Sequence, residues 1–304
     1  MTDPSLLPPE QTFEASRALL GAGALLGLWL LESLAPTYHA SRDRTAHAMR
    51  NLSLGAANAL VAAALLVAVT VAVIEVCRRP GFGLLRWVEL PIVARWAIAL
   101  VALDLTHYAA HIAFHKTPAL WRIHAVHHHD ADVDVTTAAR FHPLEIAAHA
   151  LAMLPAIALV GLSLRHVVAY ETALVATSMF HHANLRMPRR LDRLLRLLIV
   201  TPRMHWVHHS EWQPETDSNY GSVLSLWDRL FGTFRLRPDP ASIRFGLEGF
   251  TRRDTRSLRG MILTPLLTRR ARCGSPPANG LEGEERDLSA PRRRRRARPA
   301  APAD

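Results

Sequence analysis

The chain has 304 residues, a formal net charge of +10 and only two cysteines, Cys77 and Cys273. Two cysteines exclude a disulfide framework, thiolate-bound zinc and iron–sulfur clusters, so any metal must be held by nitrogen, with some oxygen. A basic chain fits nucleic acid or anionic lipid. Its long apolar segments favour a membrane and lipid over nucleic acid.

Two apolar segments lie in the N-terminal third, at residues 18–31, extending to about 36, and 52–76. Each is long enough for the core of a bilayer, which needs about 20 residues. The acidic residues ahead of the first segment argue against a cleaved signal peptide. The sequence therefore predicts two transmembrane helices within residues 1–90.

Two further apolar stretches, separated by Gly161 and Ser163, predict a membrane hairpin at about residues 145–182. This hairpin begins after one group of histidines and ends before the last group. If the chain enters the membrane and returns, both groups lie on the same side of it. The basic region after Arg186 favours the cytoplasmic side, although the positive-inside rule is not decisive for the earlier loops.

The C-terminal end is predicted to consist of an extension at residues 241–270 and a tail at residues 271–304. The tail is rich in proline, glycine and charge and contains an unbroken run of five arginines, Arg292 to Arg296. Such a composition indicates disorder. A solvated tail and attraction to anionic headgroups are both compatible with it.

The chain contains 17 histidines, and eight of them form three spaced motifs. Positions i, i+3 and i+4 share one face of a helix, so each motif is expected to aim its imidazoles at one point. Isolated histidines such as His39, His47, His149 and His166 are expected at the surface. The motif residues are His111 and His115; His124, His127 and His128; and His205, His208 and His209.

Eight imidazoles exceed the ligands of one metal ion, which indicates two ions. The chain has no His-Glu-x-x-His motif, so a zinc protease has no support. A membrane site with two metals and many nitrogen ligands suits dioxygen activation by iron. Spacing alone does not distinguish iron from zinc.

Residues 104 to about 234 resemble the fatty acid hydroxylase/sterol desaturase superfamily of membrane di-iron oxygenases. The resemblance rests on the histidine boxes and on segments around them. The matching positions are Asp104, His111 and His115; Trp121, His124, His127 and His128; Phe141, His142, Pro143 and Glu145; His182 and Asn184; Thr201, Pro202, His205, His208 and His209; Asn219 to Gly221; and Trp227 to Thr233.

The resemblance implies an all-α fold: an integral membrane helical bundle with a histidine-rich helical cap on its cytosolic face and a di-iron catalytic domain at residues 91–240. It implies nine metal ligands: His111, His115, His124, His127, His128, His182, His205, His208 and His209. Four further residues are candidates for orienting the ligands or adding one: His142, Asp104, Glu145 and Asp228. His107, His129 and His181 depart from the family pattern and are not expected to bind metal.

The implied activity is hydroxylation, or desaturation, of a lipid C–H bond with dioxygen at two iron ions; zinc is an alternative occupant in the isolated protein. Electrons are expected from an external ferredoxin or cytochrome with its reductase, because the chain shows no glycine-rich dinucleotide fingerprint. The expected location is the bacterial inner membrane. The alternatives are a zinc-dependent hydrolase acting on lipid and a non-enzymatic membrane protein that binds metal.

Overall fold

The structure, a computed structural model, describes residues 9–39, 43–62, 66–247, 250 and 256–267. Within these ranges the chain forms helices and loops, and its only extended pairings are two isolated bridges, Ile199 with Leu224 and Ser210 with Phe245. The predicted all-α class is confirmed. The predicted tail at residues 271–304 lies outside the described residues.

The described residues contain thirteen α-helices. They are α1 (Pro9–Leu34), α2 (Arg44–Val61), α3 (Val67–Arg78), α4 (Leu84–Trp87), α5 (Ile92–Lys116), α6 (Pro118–His128), α7 (Pro143–Val160), α8 (Leu164–His182), α9 (Arg189–Leu195), α10 (Pro202–His208), α11 (Gln213–Thr216), α12 (Leu226–Leu230) and α13 (Leu258–Leu267).

Three helices in the histidine-bearing part of the chain begin with proline. Pro118 begins α6, Pro143 begins α7 and Pro202 begins α10, each at the first position of its helix. Proline has no backbone N–H and a fixed φ, so the first position of a helix, where the N–H has no intrahelical partner, suits it best. The histidine boxes of α6 and α10 therefore lie in the last turns of short helices whose starts are fixed by Pro118 and Pro202.

Helix α5 lies at the centre of the bundle and packs against α6, α7 and α8. An apolar core fills the space between these helices and α3; its members are Ile74, Leu85, Ala99, Leu103, Met153, Ile157, Leu162 and Tyr170. The core lies on the N-terminal half of α5. The histidines lie on the C-terminal half.

The turn between α7 and α8 packs closely against the segment before α4. Gly161 (φ +77°) and Gly83 (φ +121°) face each other there, and a Cβ at Gly83 would lie 2.3 Å from the Cα of Gly161. Only glycine suits both the backbone angles and the contact. The turn fixes the end of the α7–α8 hairpin that is distant from the histidines. The hairpin leaves the histidine cluster at Pro143 and returns to it at His182.

Two helices, α5 and α7, are long and apolar enough to cross a membrane by length and composition alone. Residues 19–34 of α1 form a shorter apolar helix. The predicted span at residues 52–76 falls across α2 and α3, and residues 63–65 between them lie outside the described residues.

Candidate metal centre

Nine buried histidines converge in two adjacent groups, and within each group the ligand nitrogens lie within 4.8 Å of one another. They are the nine predicted ligands. One group has five members, His111, His115, His124, His128 and His208, and the other has four, His127, His182, His205 and His209.

The two His-x-x-His-His motifs each contribute to both groups. In α6 the i and i+4 residues, His124 and His128, join the five-histidine group, while His127 joins the other. The expectation that each motif aims at one point is therefore wrong for the two His-x-x-His-His motifs, although it holds for His111 and His115, which share one group. At roughly 100° per residue, positions i+3 and i+4 lie about 100° apart around the helix, so their rings diverge.

The motif near residue 205 is arranged in the opposite sense. His205 and His209 belong to the four-histidine group, and His208 crosses to the five-histidine group. The two groups consequently share both motifs. The rings of His128 and His209 stack at 4.7 Å between them.

Main-chain carbonyl oxygens orient four of the nine imidazoles. The acceptors are on different loops and helices, and each takes a hydrogen bond from Nδ1. The pairs are His111 with Tyr220 (2.8 Å), His127 with Arg140 (3.2 Å), His182 with Ser178 (2.7 Å) and His208 with Ser218 (2.7 Å). A carbonyl oxygen can only accept, so each Nδ1 carries the proton and each Nε2 presents a lone pair inward.

These lone pairs face one another without protons between them. The Nε2 atoms of His127 and His182 are 3.1 Å apart, and both rings donate through Nδ1, so neither can donate to the other. Burial, reinforced by neighbouring imidazoles, also lowers the pKa of His127 well below its ordinary value, which keeps the ring neutral. Two desolvated lone pairs at this distance repel each other, and a cation between them would remove that repulsion.

The nitrogen spacing fits such a cation. In the four-histidine group the Nε2 atoms of His182, His205 and His209 lie 2.9 to 3.2 Å apart. Nitrogens bound to one ion at roughly 2.1 Å lie about 3.0 to 3.4 Å apart. In the five-histidine group the Nε2 atoms of His111 and His208 are buried without a partner. Both groups could hold a metal ion.

Carboxylates contact two further histidines of the five-histidine group. Glu145 Oε1 accepts from His124 Nδ1 at 2.5 Å, and both side chains are buried. Asp217 Oδ1 lies 3.4 Å from His115 Nδ1. Although burial acts to raise it, the pKa of Asp217 is brought below its ordinary value by hydrogen bonds from His115, Lys116 and Gln213. Carboxylate contacts of this kind fix the tautomer of a ligand and strengthen its lone pair.

Residues 96–233, which contain all nine histidines, match the fatty acid hydroxylase family model. The chain is 32% identical over 160 residues to an ornithine lipid hydroxylase, OlsE, of Rhizobium tropici, covering 52% of this chain and 47% of that protein. It is 29% identical over 139 residues to an alkylglycerol monooxygenase of Homo sapiens, covering 46% of this chain and 30% of that protein.

The histidine-bearing segment of this chain is therefore similar to a fatty acid hydroxylase domain. The resemblance inferred from the motifs is thereby confirmed. The matched segment covers less than half of each of these two relatives. No solved structure matches the chain significantly.

Asp104 and Asp228, two of the carboxylates predicted to orient ligands, do not contact the candidate ligand imidazoles. Asp104 accepts from Tyr170, from the backbone of Leu224 and from Trp227 Nε1 at 2.7 Å, so it ties α5 to α8 and α12. Asp228 contacts no ligand directly.

Instead, Asp228 accepts from the backbone N–H of Tyr220 at 2.7 Å and of Gly221 at 3.0 Å. It thereby positions the loop in which the Tyr220 carbonyl accepts the hydrogen bond from His111. Burial raises the pKa of Asp228 to about 6, against the opposing effect of these hydrogen bonds. Of the carboxylates predicted to orient ligands, only Glu145 contacts one.

The remaining histidines of the matched segment lie outside both metal groups. His142 caps α7 by accepting from the Leu144 N–H, and its Nε2 donates to the carbonyl of Ile262. His129 lies between Arg140 and Thr264. His181 packs on His205 with ring centroids 3.9 Å apart, and His107 stacks on His149.

Arg140 and Asp217 contact candidate ligands and were not predicted from the sequence. Arg140 is 1% exposed and donates to the carbonyl of Val126, to Asn51 and to His129, while its own carbonyl receives His127. Its place two residues before His142 is the only sequence signal it offers.

His149, which was expected at the surface, is half-buried and stacks on His107. His47 is not a surface histidine either. It is 4% exposed and contacts Asp130 at 2.9 Å and Asp134 at 3.3 Å. Both carboxylates follow the α6 box within a few residues. The contact joins α2 to the end of that box.

Proposed function

We propose that the protein is a membrane-bound oxygenase that hydroxylates a C–H bond of a lipid with dioxygen, using two iron ions. The observation that carries this proposal is the pair of buried imidazole groups whose lone pairs face each other. Five histidines would hold one ion and four would hold the other. Relatives named as hydroxylases and a monooxygenase of lipids support the reaction class.

Two iron ions in these groups would supply the activation of dioxygen, which no protein side chain provides. The overall reaction consumes one dioxygen, two electrons and two protons and yields one alcohol and one water. We propose that the electrons come from an external ferredoxin or cytochrome with its reductase. Removal of a second hydrogen in place of oxygen insertion would give a desaturated lipid.

The protein's own part in this reaction is positioning and exclusion of water. Glu145 and Asp217 hold His124 and His115, and the main-chain carbonyls hold four other rings. On the side of α5 towards its N-terminus the apolar core closes the bundle. A lipid chain that approached from this apolar side would bring no water to the metal groups.

A surface patch supports contact with a membrane. The patch is formed by α9, α12 and the residues that follow each helix, and it exposes large apolar side chains: Leu191 46%, Leu194 65%, Leu197 67%, Leu198 65%, Leu226 50%, Leu230 63% and Phe231 55%. Arginines interleave with these leucines, an arrangement typical of a segment that lies at the headgroup boundary. We name this surface the leucine patch.

The leucine patch also suggests the depth of the site. Trp227 of α12 bonds Asp104 on α5, seven residues before His111. At 1.5 Å per residue, the metal groups would lie about 10 Å above the level of the patch. We propose a bacterial inner-membrane location with the metal centre on the cytoplasmic face, transmembrane helices in residues 1–90 and a membrane hairpin at about residues 145–182.

Isotope labelling tests the reaction. The full chain is loaded with iron, placed in nanodiscs of host lipid and supplied with a ferredoxin, its reductase and ¹⁸O₂. Lipids that gain one ¹⁸O atom, and none in His127→Ala or His208→Ala, would support the proposal. Oxygen-independent products labelled from H₂¹⁸O would replace it with a zinc hydrolase. Metal transport without any lipid product would replace it with a metal carrier.

His39→Ala is the matched control because His39 is exposed and belongs to neither metal group. This variant should keep both ions and the full product yield. Each ligand variant should still insert into the membrane. Full activity in either ligand variant would refute the site.

A further inference from the structure

Two histidines outside the metal groups face each other within the bundle. His107 lies on α5 and His149 on α7, with parallel rings 4.5 Å apart and 14° between their planes. Phe114 stacks on His149 at 4.4 Å. Both residues are half-buried, so part of each remains accessible from outside the bundle.

The hydrogen-bonding capacity of this pair is unused. His149 Nδ1 is buried without a partner, and neither ring bonds any described side chain or backbone atom. Stacked rings point their N–H bonds in their own planes, so the two imidazoles cannot bond each other. An unpaired polar atom in an apolar bundle is costly, and polar side chains in membrane helices are usually retained for a ligand or a partner.

The pair lies between the metal centre and the apolar core. His107 precedes the ligand His111 by one helical turn, about 6 Å along α5. One turn further from the ligand lies Leu103, a member of the core. On α7, His149 has the corresponding position between Glu145, which holds His124, and Met153 of the core.

From this juxtaposition we infer that His107 and His149 bind an uncharged hydrogen-bonding group of the lipid, a hydroxyl or an amide. A neutral imidazole offers one N–H donor and one lone pair, which match a group that both donates and accepts. The inference rests on the proposed lipid oxygenase. Anchoring a polar group here would fix which carbon of the chain reaches the metal groups, so the pair would determine the position of oxidation.

Phenylalanine substitutions test the site because they keep the stacked rings and remove the nitrogens. His107→Phe and His149→Phe are each loaded with zinc, which allows binding without turnover, and purified from nanodiscs made with a polar lipid extract of the host. Mass spectrometry of the retained lipids is expected to show a five- to ten-fold loss of hydroxyl- and amide-bearing species, as for loss of a buried hydrogen bond. Metal analysis should still find two ions per chain.

Two further variants separate binding from folding. Thr106→Val removes a neighbouring hydroxyl on α5 that bonds only the carbonyl of Ala102 in its own helix, and it should retain lipid as the natural chain does. His149→Gln restores an amide donor and acceptor and should recover part of the retention. With iron and dioxygen, the phenylalanine variants should spread oxidation over several carbons.

Unchanged lipid retention in both phenylalanine variants would overturn the inference. Loss of an ion in either variant would also overturn it, since the pair would then bind metal. If the phenylalanine variants lose polar lipids that the natural chain retains, but the natural chain gives no oxygenated product, the proposed oxygenase fails and this binding site stands.

Discussion

Replacing Glu145 tests whether a carboxylate sets the affinity of the five-histidine group. The buried carboxylate accepts from His124 Nδ1 at 2.5 Å, and its other oxygen has no protein partner. Loss of such a contact typically weakens metal binding ten- to a hundred-fold. We expect about ten-fold, near 1.4 kcal/mol, for Glu145→Gln and towards a hundred-fold for Glu145→Ala.

Chelator competition measures this effect. Each variant is loaded with two ions and titrated with a chelator, and the ion from the five-histidine group should leave first, while the four-histidine group should release its ion as before. Asp104→Asn is the matched control because this buried carboxylate contacts no histidine. Natural chelator resistance of both ions in Glu145→Ala would refute the reasoning.

Three other outcomes follow from the same contacts. His142→Ala should keep both ions, but its free energy of unfolding should fall by about 0.5–2 kcal/mol because the N-terminal cap of α7 is lost. Calorimetry measures the stability and metal analysis counts the ions. Loss of an ion would contradict the role of His142 as a cap. Burial keeps the pKa of His205 and His209 well below the ordinary value near 6.5, so the unfolded apoprotein binds more protons below that pH. Its free energy of unfolding should therefore fall between pH 7 and 5, by up to about 1.4 kcal/mol per pH unit for each such histidine, and a flat denaturant profile would exclude this. A fluorophore on a single cysteine introduced at Leu194 should be quenched by spin-labelled lipid. One introduced at Gln213 should not be quenched, because the Gln213 side chain bonds Asp217, which also bonds Lys116 at the C-terminal end of α5. Equal quenching at both positions would contradict the depth assigned to the leucine patch.

The sequence predicted the metal-site candidates because histidine spacing encodes direction on a helix. His111 and His115 are one turn apart on α5, and the two His-x-x-His-His motifs lie on α6 and α10 as expected. His182 could be added only through the family resemblance. Its partners lie more than twenty residues away, so no local pattern marks it.

The division into two groups could not be predicted from spacing. It depends on how α6 and α10 face each other, which brings His208 to His115 and His127 to His209. Asp217 was missed for a similar reason. Its contact with His115 spans about one hundred residues, and an isolated aspartate in a loop carries no periodic signal.

Because main-chain oxygens orient several of the candidate ligands, the proposed metal centre should tolerate side-chain change around it. The carbonyls of Ser178 and Ser218 remain available whatever residue occupies those positions. Gly221 is different, because a Cβ there would lie 2.8 Å from Asp228 Oδ2 and displace the loop that receives His111. A library that varies the two serines would therefore return many metal-binding sequences, and one that varies Gly221 would return few. The conformation of the backbone, more than the identity of the neighbouring side chains, would then determine how the imidazoles are oriented.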